Sequence, residues 1–404
     1  MNAQAKSGVG EGAVLLLLAA GTILGISMGV RQAFGLFVAP MSDGLGIGRG
    51  DFSLVIAVQN VVWGLAGPLF GILADRYGTG RVVAFGGICY GIGVALMAAG
   101  QSLWVLHLGG GLLVGLGVGG AGFALVLAAV ARAAPPEKQS LWLGLASAGG
   151  SAGMFLLIPG SQALIDSFGW SDALWVLAAL SLLMVPLAIA VRGKPGLATV
   201  SGQSLAGALR EAGGNRSYLL LNMGFFVCGF HVAFVATHLP GYLVTCNLGS
   251  DVGAVALGII GFFNIIGGLG AGWLGGRFAR KNVLSAIYFL RAVVIALFLL
   301  GPKTEWAVWL FSASFGLLWL STVPLTTGLV SLIFGTRYMA TLAAIVMLSH
   351  QIGAFFGAWF GGISYDLNQS YDAVWYMAIG LGLLAAVVHY PIVEKPLQRV
   401  REAA

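Results

Sequence analysis

The side chain with the clearest chemical potential is an arginine inside an apolar run. Arg31 is the only charged residue of "GISMGVRQAFGLFVAPM" (25–41), and the sequence upstream carries no charge back to residue 13. A guanidinium is permanently protonated, and its planar fork can hold a carboxylate through two parallel hydrogen bonds. We therefore expect Arg31 to bind a small organic anion. The alternative is a structural arginine that bonds backbone carbonyls or reaches towards water.

Three histidines also lie in apolar runs, and histidine is the side chain that titrates near neutral pH. His231 and His238 are seven residues apart, which places them on one face of a helix, and His350 lies within "LSHQ". Each could bind an anion or carry a proton, and a hydrogen-bonded core histidine is the alternative for each. The other candidate substrate-binding side chains are the neutral polar residues Gln59, Asn60, Asn264 and Thr322.

The composition shows what surrounds these side chains. Of the 404 residues, 58% are hydrophobic and only 8% are charged, whereas soluble domains carry about a quarter charged residues. The sequence therefore predicts an all-α integral membrane protein with twelve transmembrane helices, called spans 1 to 12 below, because a crossing needs roughly 20 apolar residues. The twelve apolar runs are 13–41, 52–74, 82–100, 104–131, 140–165, 173–191, 218–246, 252–275, 283–301, 305–333, 338–365 and 372–393.

The distribution of charge predicts the orientation. With both termini on one side, the loops and tails of that side hold sixteen Lys and Arg, and the opposite loops hold only Arg49 and Lys303. Basic residues favour the cytoplasmic face, so both termini are expected in the cytoplasm, as in a multi-pass protein of a bacterial inner membrane. All acidic residues fall in loops, tails or span ends. This pattern disfavours a cationic substrate and gives no reason to expect nucleic acid as a partner.

The two halves of the sequence resemble each other. "DSFGWSDALW" (166–175) recurs as "DLNQSYDAVW" (366–375), with Asp, Asp-Ala and Trp at an offset of 200 residues. The longest polar interval lies between the sixth and seventh apolar runs. We therefore expect an N-terminal six-helix bundle (1–192), a cytoplasmic linker (193–217) and a C-terminal six-helix bundle (218–404), related by pseudo-symmetry with the substrate between them.

A charged motif lies between spans 2 and 3. "GILADRYGTGR" (71–81) resembles the signature of the major facilitator superfamily, G-x-x-x-D-[RK]-x-G-x-x-[RK], and "GWLGGRFARK" (272–281) is a degenerate echo in the second half. The resemblance implies the major facilitator fold and a charged lock that is released as the halves rock. Ordinary positive-inside anchoring is the alternative. The candidate gating residues are Asp75, Arg76, Arg81 and Arg277.

Three further stretches resemble the monocarboxylate-porter and oxalate/formate-exchanger branch of that superfamily. They are "GVRQAFGLFVAPM", "CGFHVAFVATHLPGYL" (228–243) and "LSHQIGAFFGAWFGGISYD" (348–366). The resemblance implies a secondary transporter of a small organic anion, a monocarboxylate, working by alternating access with a proton as the second partner. Some members carry an Asp and an Arg in span 8, where this sequence has Asn264 and Gly268. A histidine is therefore expected to carry the proton.

Arg291, in "YFLRAVV", is the second arginine within an apolar run. The third span of each triplet is peripheral in this superfamily, so span 9 is expected outside the substrate cavity. We therefore expect Arg291 to bond carbonyls of neighbouring helices, and substrate contact is the alternative.

Other functions have weaker support. "GVGGAG" (117–122) fits a dinucleotide fingerprint and "GGSAG" (149–153) a nucleophile elbow, but both lie inside apolar runs, where close helix packing is the better interpretation. We expect no metal, cofactor or catalytic residues, a protein that is not an enzyme, and a functional monomer in the lipid bilayer. The alternatives are an anion exchanger or uniporter, a drug or metabolite exporter of the same fold, and a membrane enzyme or sensor.

Overall fold

The computed structural model describes residues 11–135, 138–193, 204–335 and 338–397, and all regular structure in these ranges is helical. His107–Leu113 is a π-helix and the other helices are α-helices. In chain order the helices are Glu11–Leu45, Arg49–Tyr77, Thr79–Ala99, Leu103–Leu106, His107–Leu113, Val114–Gly120, Phe123–Ala133, Gln139–Phe168, Trp170–Leu182, Met184–Leu187, Leu205–Gly213, Arg216–Thr245, Ser250–Arg277, Arg280–Leu300, Glu305–Leu318, Thr322–Phe334, Met339–Asn368 and Asp372–His389.

Twelve helical stretches in the described ranges are long and apolar enough to cross a membrane, and they match spans 1 to 12 in order. The chain is therefore a multi-pass membrane protein, and the predicted all-α class with twelve spans is confirmed. Two spans differ from the continuous runs read in the sequence. Span 4 contains the π-helix and a break at Ala121–Gly122, and span 10 breaks between Leu318 and Thr322. Side chains of two other spans bind the backbone at the span 10 break, as shown below.

The described residues form two compact units. The first unit takes its residues from Met1–Phe34 and Leu65–Leu197, and the second from Gly35–Gly64 and Ala198–Ala404. The boundaries predicted for the two bundles and the linker at 193–217 remain predictions. Within that interval the structure contains the short helix Leu205–Gly213.

In the first unit, glycines of spans 1 and 5 bring the two backbones together. A Cβ atom at Gly29 would lie 2.6 Å from the carbonyl oxygen of Gly153, and one at Gly25 would lie 3.0 Å from that of Gly149. The glycines of "GGSAG" are thus packing positions, as are those of "GVGGAG", where a Cβ at Gly117 would meet Tyr90 at 2.6 Å. Small residues allow this close approach between membrane helices.

In the second unit, span 7 packs on span 11 in the same way. Cβ atoms at Gly229, Gly353 and Gly357 would each overlap a backbone carbonyl of the facing helix. Beside this contact, aromatic rings fill the space between spans 7, 9, 10 and 12. Phe234 lies 4.7 Å from Trp375, and Phe298 stacks on Phe311 at 4.1 Å, centroid to centroid.

The internal repeat is visible in the backbone. Span 5 is followed by Gly169 with φ of 83°, and span 11 by Gln369 with φ of 53°, at the same offset of 200 residues. Each N–H bonds the carbonyl four residues earlier, that of Ile165 at 2.8 Å and that of Tyr365 at 2.7 Å. Both halves therefore end these spans at a residue with positive φ, although the conformations differ: Gln369 is left-handed helical with ψ of 25°, whereas Gly169 has ψ of 167°.

Candidate functional site

Arg31 lies near the middle of span 1, in the first unit. Its side chain is half-buried, and Nη1 donates to Oε1 of the adjacent Gln32 at 3.0 Å. The buried hydroxyl of Tyr90, on span 3, donates to the carbonyl of Ser27 at 2.9 Å and lies within electrostatic reach of the guanidinium. Arg31 is thus held among polar groups of spans 1 and 3.

The acidic residues of the described spans lie near the helix ends and not at the depth of Arg31. In the described ranges every Asp and Glu of a span lies in the first or last turn of its helix, at positions 11, 43, 51, 75, 166, 172, 251, 305, 366 and 372. The middle of each span therefore carries no acid in the described part of the chain. A negative charge at mid-span must come from another kind of group.

Gln59 and Asn60 of span 2 belong to the second unit, and both are buried. Asn60 donates from Nδ2 to the carbonyl of Ile56, one turn earlier, at 2.8 Å. An amide bound to its own helix can exchange that bond for one to a ligand at small cost. Their predicted role as substrate-binding residues remains a prediction.

The histidines of span 7 bind backbone carbonyls. Nε2 of His231 lies 2.8 Å from the carbonyl of Ala378 on span 12, and Nε2 of His238 lies 2.6 Å from that of Ala358 on span 11. A carbonyl only accepts, so Nε2 carries a proton in both rings. In the described structure Nδ1 has no partner in either ring. The arrangement is that of a hydrogen-bonded core histidine with one nitrogen left for a proton or ligand.

The break in span 10 is held from two sides. Oδ1 of Asn264, on span 8, accepts the N–H of Leu320 at 3.1 Å. Arg291, on span 9, is fully buried and donates from Nε and Nη2 to the carbonyl of Leu318 at 3.1 and 2.5 Å, and from Nη2 to that of Trp319 at 2.5 Å. The expectation that Arg291 bonds carbonyls of a neighbouring helix is confirmed. These carbonyls end the helix Glu305–Leu318, where the helix dipole favours a cation.

Thr322 and His350, two of the predicted substrate-binding residues, lie near Cys228, for which the sequence predicted no role. Sγ of Cys228, on span 7, lies 3.2 Å from Oγ1 of Thr322, and His350, Arg291 and Tyr288 lie within electrostatic reach of the same thiol. All five side chains are buried. We call Cys228, Tyr288, Arg291, Thr322 and His350 the Cys228 cluster. In the described structure Nη1 of Arg291, Nδ1 of His350 and the Tyr288 hydroxyl have no hydrogen-bond partner.

A second polar cluster joins the start of span 2 to the end of span 11. The carboxylate of Asp366 accepts the backbone N–H groups of Arg49 and Gly50, and Nη1 of Arg49 donates to the Tyr371 hydroxyl at 2.9 Å. The guanidinium also lies 3.7 Å above the centroid of the Tyr365 ring. Burial raises the pKa of Tyr371, and the neighbouring Arg49 opposes that rise. We call Arg49, Gly50, Tyr365, Asp366 and Tyr371 the Asp366 cluster.

The described candidate gating residues are exposed. The guanidinium of Arg76 lies 5.4 Å from the Tyr77 ring centroid and that of Arg277 lies 4.3 Å from the Trp273 centroid, while Arg81 projects outward. The side chain of Asp75 lies outside the described residues. Gly78 of the motif has φ of 94°, a backbone conformation that favours glycine. The lock predicted from this motif remains a prediction.

Several polar side chains that lie near the predicted site residues could not be identified from the sequence. Tyr90, Cys228 and Tyr288 are buried beside charged or polar groups, yet each occupies an apolar run where its polar atom gives no local signal, and the buried Tyr371 lies between two such runs. Gln351 could have been identified from the sequence, because it directly follows His350 in an apolar run. Its amide is buried, and neither of its polar atoms has a hydrogen-bond partner in the described structure. Among the described residues, no group of His, Cys, Asp and Glu is arranged to hold a metal ion.

Most of the chain matches a known protein family. The family model for the Major Facilitator Superfamily matches residues 16–358. The chain is 24% identical over 383 residues to the uncharacterized MFS-type transporter YcxA of Bacillus subtilis (strain 168), covering 92% of this chain and 93% of that one. It is 26% identical over 373 residues to monocarboxylate transporter 11 of Mus musculus, covering 88% and 81%.

Two solved structures share the fold. The inward-facing, unoccupied bacterial homolog of the human lysosomal transporter Spinster superposes with a TM-score of 0.73 at 15% identity, covering 95% of this chain and 97% of that one. A variant of the nucleoside transporter NupG superposes with a TM-score of 0.78 at 13% identity, covering 93% and 99%. At these identities the likeness concerns the fold alone.

Proposed function

The chain belongs to the major facilitator superfamily, and on that premise we propose that it is a secondary transporter that moves a monocarboxylate across the membrane together with a proton. The observation that carries the proposal is the position of Arg31. Its permanent charge lies half-buried at mid-span, while the acidic residues of the described spans lie in their first and last turns. The counter-charge that suits this arginine best is the carboxylate of the substrate.

The chemistry of the proposed binding side chains indicates the substrate class. A guanidinium binds a carboxylate through two hydrogen bonds, which orients the anion as well as attracting it. The proposed supporting groups are few and mostly neutral: Gln59, Asn60, His231, His238, Asn264, Thr322 and His350. A small, singly charged and partly apolar anion suits such a site. A sugar would need more hydrogen-bond partners, and a cation would need an acid at mid-span.

The relatives named monocarboxylate transporters support this substrate class. Proton coupling comes from the same resemblance. We further propose a monomer in the cell membrane with both termini in the cytoplasm, because the basic residues are concentrated on that side. Asp75, Arg76, Arg81 and Arg277 are the proposed gating residues, which hold one side closed until the halves rock.

Uptake by the purified protein in proteoliposomes tests the proposal. Labelled lactate, pyruvate, acetate and an aromatic acid are compared with a sugar and an organic amine, with and without an inward proton gradient. We expect gradient-stimulated uptake of at least one monocarboxylate and none of the sugar or amine. Uptake that ignores the gradient but responds to internal anion would indicate an exchanger instead, and uptake of the amine alone would overturn the proposal.

Arg31 is tested in the same vesicles. Arg31→Gln is expected to lower uptake at least tenfold, since a charge-assisted pair contributes about 1.5–3 kcal/mol. Arg31→Lys keeps the charge and loses the planar fork, so we expect an intermediate loss. Arg210→Gln is the matched control, because Arg210 is exposed on the short helix Leu205–Gly213. Equal uptake by Arg31→Gln and the control would show that Arg31 is a structural residue.

A further inference from the structure

Spans 1 and 2 are each divided between the two compact units. The end of span 1 from Gly35 and the start of span 2 up to Gly64 belong to the second unit, and the rest of both spans belongs to the first. Both spans are nevertheless continuous helices across these boundaries, Glu11–Leu45 and Arg49–Tyr77. The sequence repeat predicts that spans 1 and 2 belong to the N-terminal bundle. Residues 35–64 are therefore packed on spans of the predicted C-terminal bundle.

Span 2 meets span 11 through small residues. A Cβ atom at Gly362 would lie 2.6 Å from Oγ of Ser53, and one at Gly50 would lie 2.8 Å from Oδ2 of Asp366. Small residues let two helices approach closely without interlocking side chains, so the two helices can part here with little rearrangement. We call this contact the seam, and it comprises Gly50, Ser53 and Gly64 of span 2 and Gln351, Gly362 and Asp366 of span 11.

The deeper end of the seam carries a buried amide. A Cβ atom at Gly64 would lie 3.0 Å from Cβ and Cγ of Gln351. The Gln351 side chain is fully buried, and in the described structure neither of its amide atoms has a hydrogen-bond partner, nor has the buried hydroxyl of Ser53. Buried polar groups are normally paired, because leaving one unpaired costs free energy. A seam that opens lets these atoms bind water or a ligand, whereas a permanently closed seam would leave them unpaired.

The far end of the seam, at the start of span 2, is closed by the Asp366 cluster. The carboxylate of Asp366 accepts the backbone N–H groups of Arg49 and Gly50 at 3.0 and 2.7 Å. Arg49 donates to the Tyr371 hydroxyl at 2.9 Å, and the Tyr371 ring stacks on that of Tyr365 at 5.0 Å, centroid to centroid. Hydrogen bonds to a carboxylate are among the stronger ones. These bonds lie at the helix ends, where water can replace them.

We propose that the seam is a gate on the membrane face opposite the chain termini, that the Asp366 cluster is its clasp, and that opening it exposes Gln351 to the transport path. This role rests on the proposed function, because alternating access requires each side of the path to open in turn. The candidate gating residues of the charged motif lie near the opposite end of span 2. The seam is therefore a second gate, which faces outward in the proposed orientation.

Distances between spin labels test the gate in lipid nanodiscs without any substrate. The three native cysteines are replaced by alanine, and labels are attached to Asp43→Cys and Leu367→Cys, at exposed positions of spans 1 and 11. Asp366→Asn keeps the shape of the clasp and loses its charge, so we expect the ratio of open to closed populations to rise roughly fivefold. A label pair at Val244→Cys and Leu367→Cys, both within residues 198–404, is expected to keep its distance.

Two further substitutions complete this test. Asp372→Asn changes an exposed acid in the first turn of span 12 and is expected to leave the ratio unchanged. Tyr371→Phe removes only the acceptor of the Arg49 side chain, and we expect the ratio to rise about twofold. It keeps the test valid if Asp366→Asn does not fold. The same ratio in Asp372→Asn and in either clasp variant would overturn the role of that clasp residue, and the same ratio in all three would overturn the gate.

The exposure of Gln351 has its own measurement. In the cysteine-free protein, Gln351→Cys is reacted with a polar maleimide in nanodiscs. We expect slow labelling that Asp366→Asn accelerates roughly fivefold, whereas Leu367→Cys is labelled at one rate in both. Equal rates for Gln351→Cys with and without Asp366→Asn would overturn its exposure by the gate.

Failure of the gate and failure of the proposed function are distinguishable. Monocarboxylate uptake by the parent protein, with distances and labelling unchanged in the clasp variants, would overturn the gate alone. The expected shifts in distance and labelling, in a protein that transports no monocarboxylate, would support the gate and overturn the proposed substrate.

Discussion

The carboxylate of Asp366 accepts the backbone N–H of Gly50 at 2.7 Å, although 316 residues separate the two in the sequence. The same carboxylate accepts the N–H of Arg49 at 3.0 Å. It therefore supplies the first turn of span 2 with the acceptors that a helix N-terminus lacks, and it places a negative charge where the helix dipole favours one. Span 11 thus caps span 2, and the Arg49 side chain completes the contact.

This cap predicts the effect of Asp366→Asn. The amide keeps the shape but loses the charge and one acceptor oxygen, so we expect the free energy of unfolding to fall by about 1–2 kcal/mol. Thermal or denaturant unfolding in detergent measures it. Asp372→Asn is the matched control, because Asp372 is exposed in the first turn of span 12. Equal stability of the two variants would contradict the capping role.

The buried Tyr371 is expected to make the folded protein less stable at alkaline pH. Its pKa is raised in the folded protein, chiefly by burial, so its contribution is complete below the unfolded value of about 10 and is lost as the pH rises through the folded value. Unfolding temperatures are therefore expected to fall above pH 10, and to fall less steeply in Tyr371→Phe. Tyr376→Phe, at an exposed tyrosine of span 12, serves as the control. Identical alkaline slopes would be evidence against this account.

Replacing glycine by alanine is expected to have different effects on stability at two positions of span 5. A methyl group at Gly153 would overlap the backbone of Gly25, whereas one at Gly160, on the same helix, would meet no heavy atom within 4 Å. Gly153→Ala is expected to lower the free energy of unfolding by about 1–3 kcal/mol. Gly160→Ala is expected to leave it unchanged or to raise it by up to about 1 kcal/mol. Unfolding in detergent measures both, and a harmless Gly153→Ala would refute the close contact.

The sequence was informative wherever the signal is local. Apolar runs of sufficient length predicted the twelve spans, and the glycines of "GGSAG" predicted close helix packing, which Gly149 and Gly153 make with span 1. The lone charge of Arg31 in an apolar run likewise identified a residue for which the fold must provide a partner. Each of these inferences needs only one stretch of chain and one physical rule.

Pairings between distant stretches could not be predicted in this way. Asp366 and Glu394 are ordinary loop-end acids in the sequence, yet each caps another helix, Glu394 through the N–H groups of Arg280 and Lys281 at 3.1 and 3.2 Å. The contacts at the break in span 10 are of the same kind, because Asn264 and Arg291 belong to two other spans. Cys228 gave no signal, since the polar residues near it belong to three other spans.

Substrate-dependent proton movement tests the central claim most directly. Vesicles that contain the protein and a trapped pH-sensitive dye are mixed with a monocarboxylate at equal pH on both sides. Since the anion enters with a proton in this account, the interior is expected to acidify with the parent protein and with Arg210→Gln, and not with Arg31→Gln or with empty vesicles corrected for diffusion of the free acid. Anion uptake without acidification, or equal acidification with Arg31→Gln, would contradict the account.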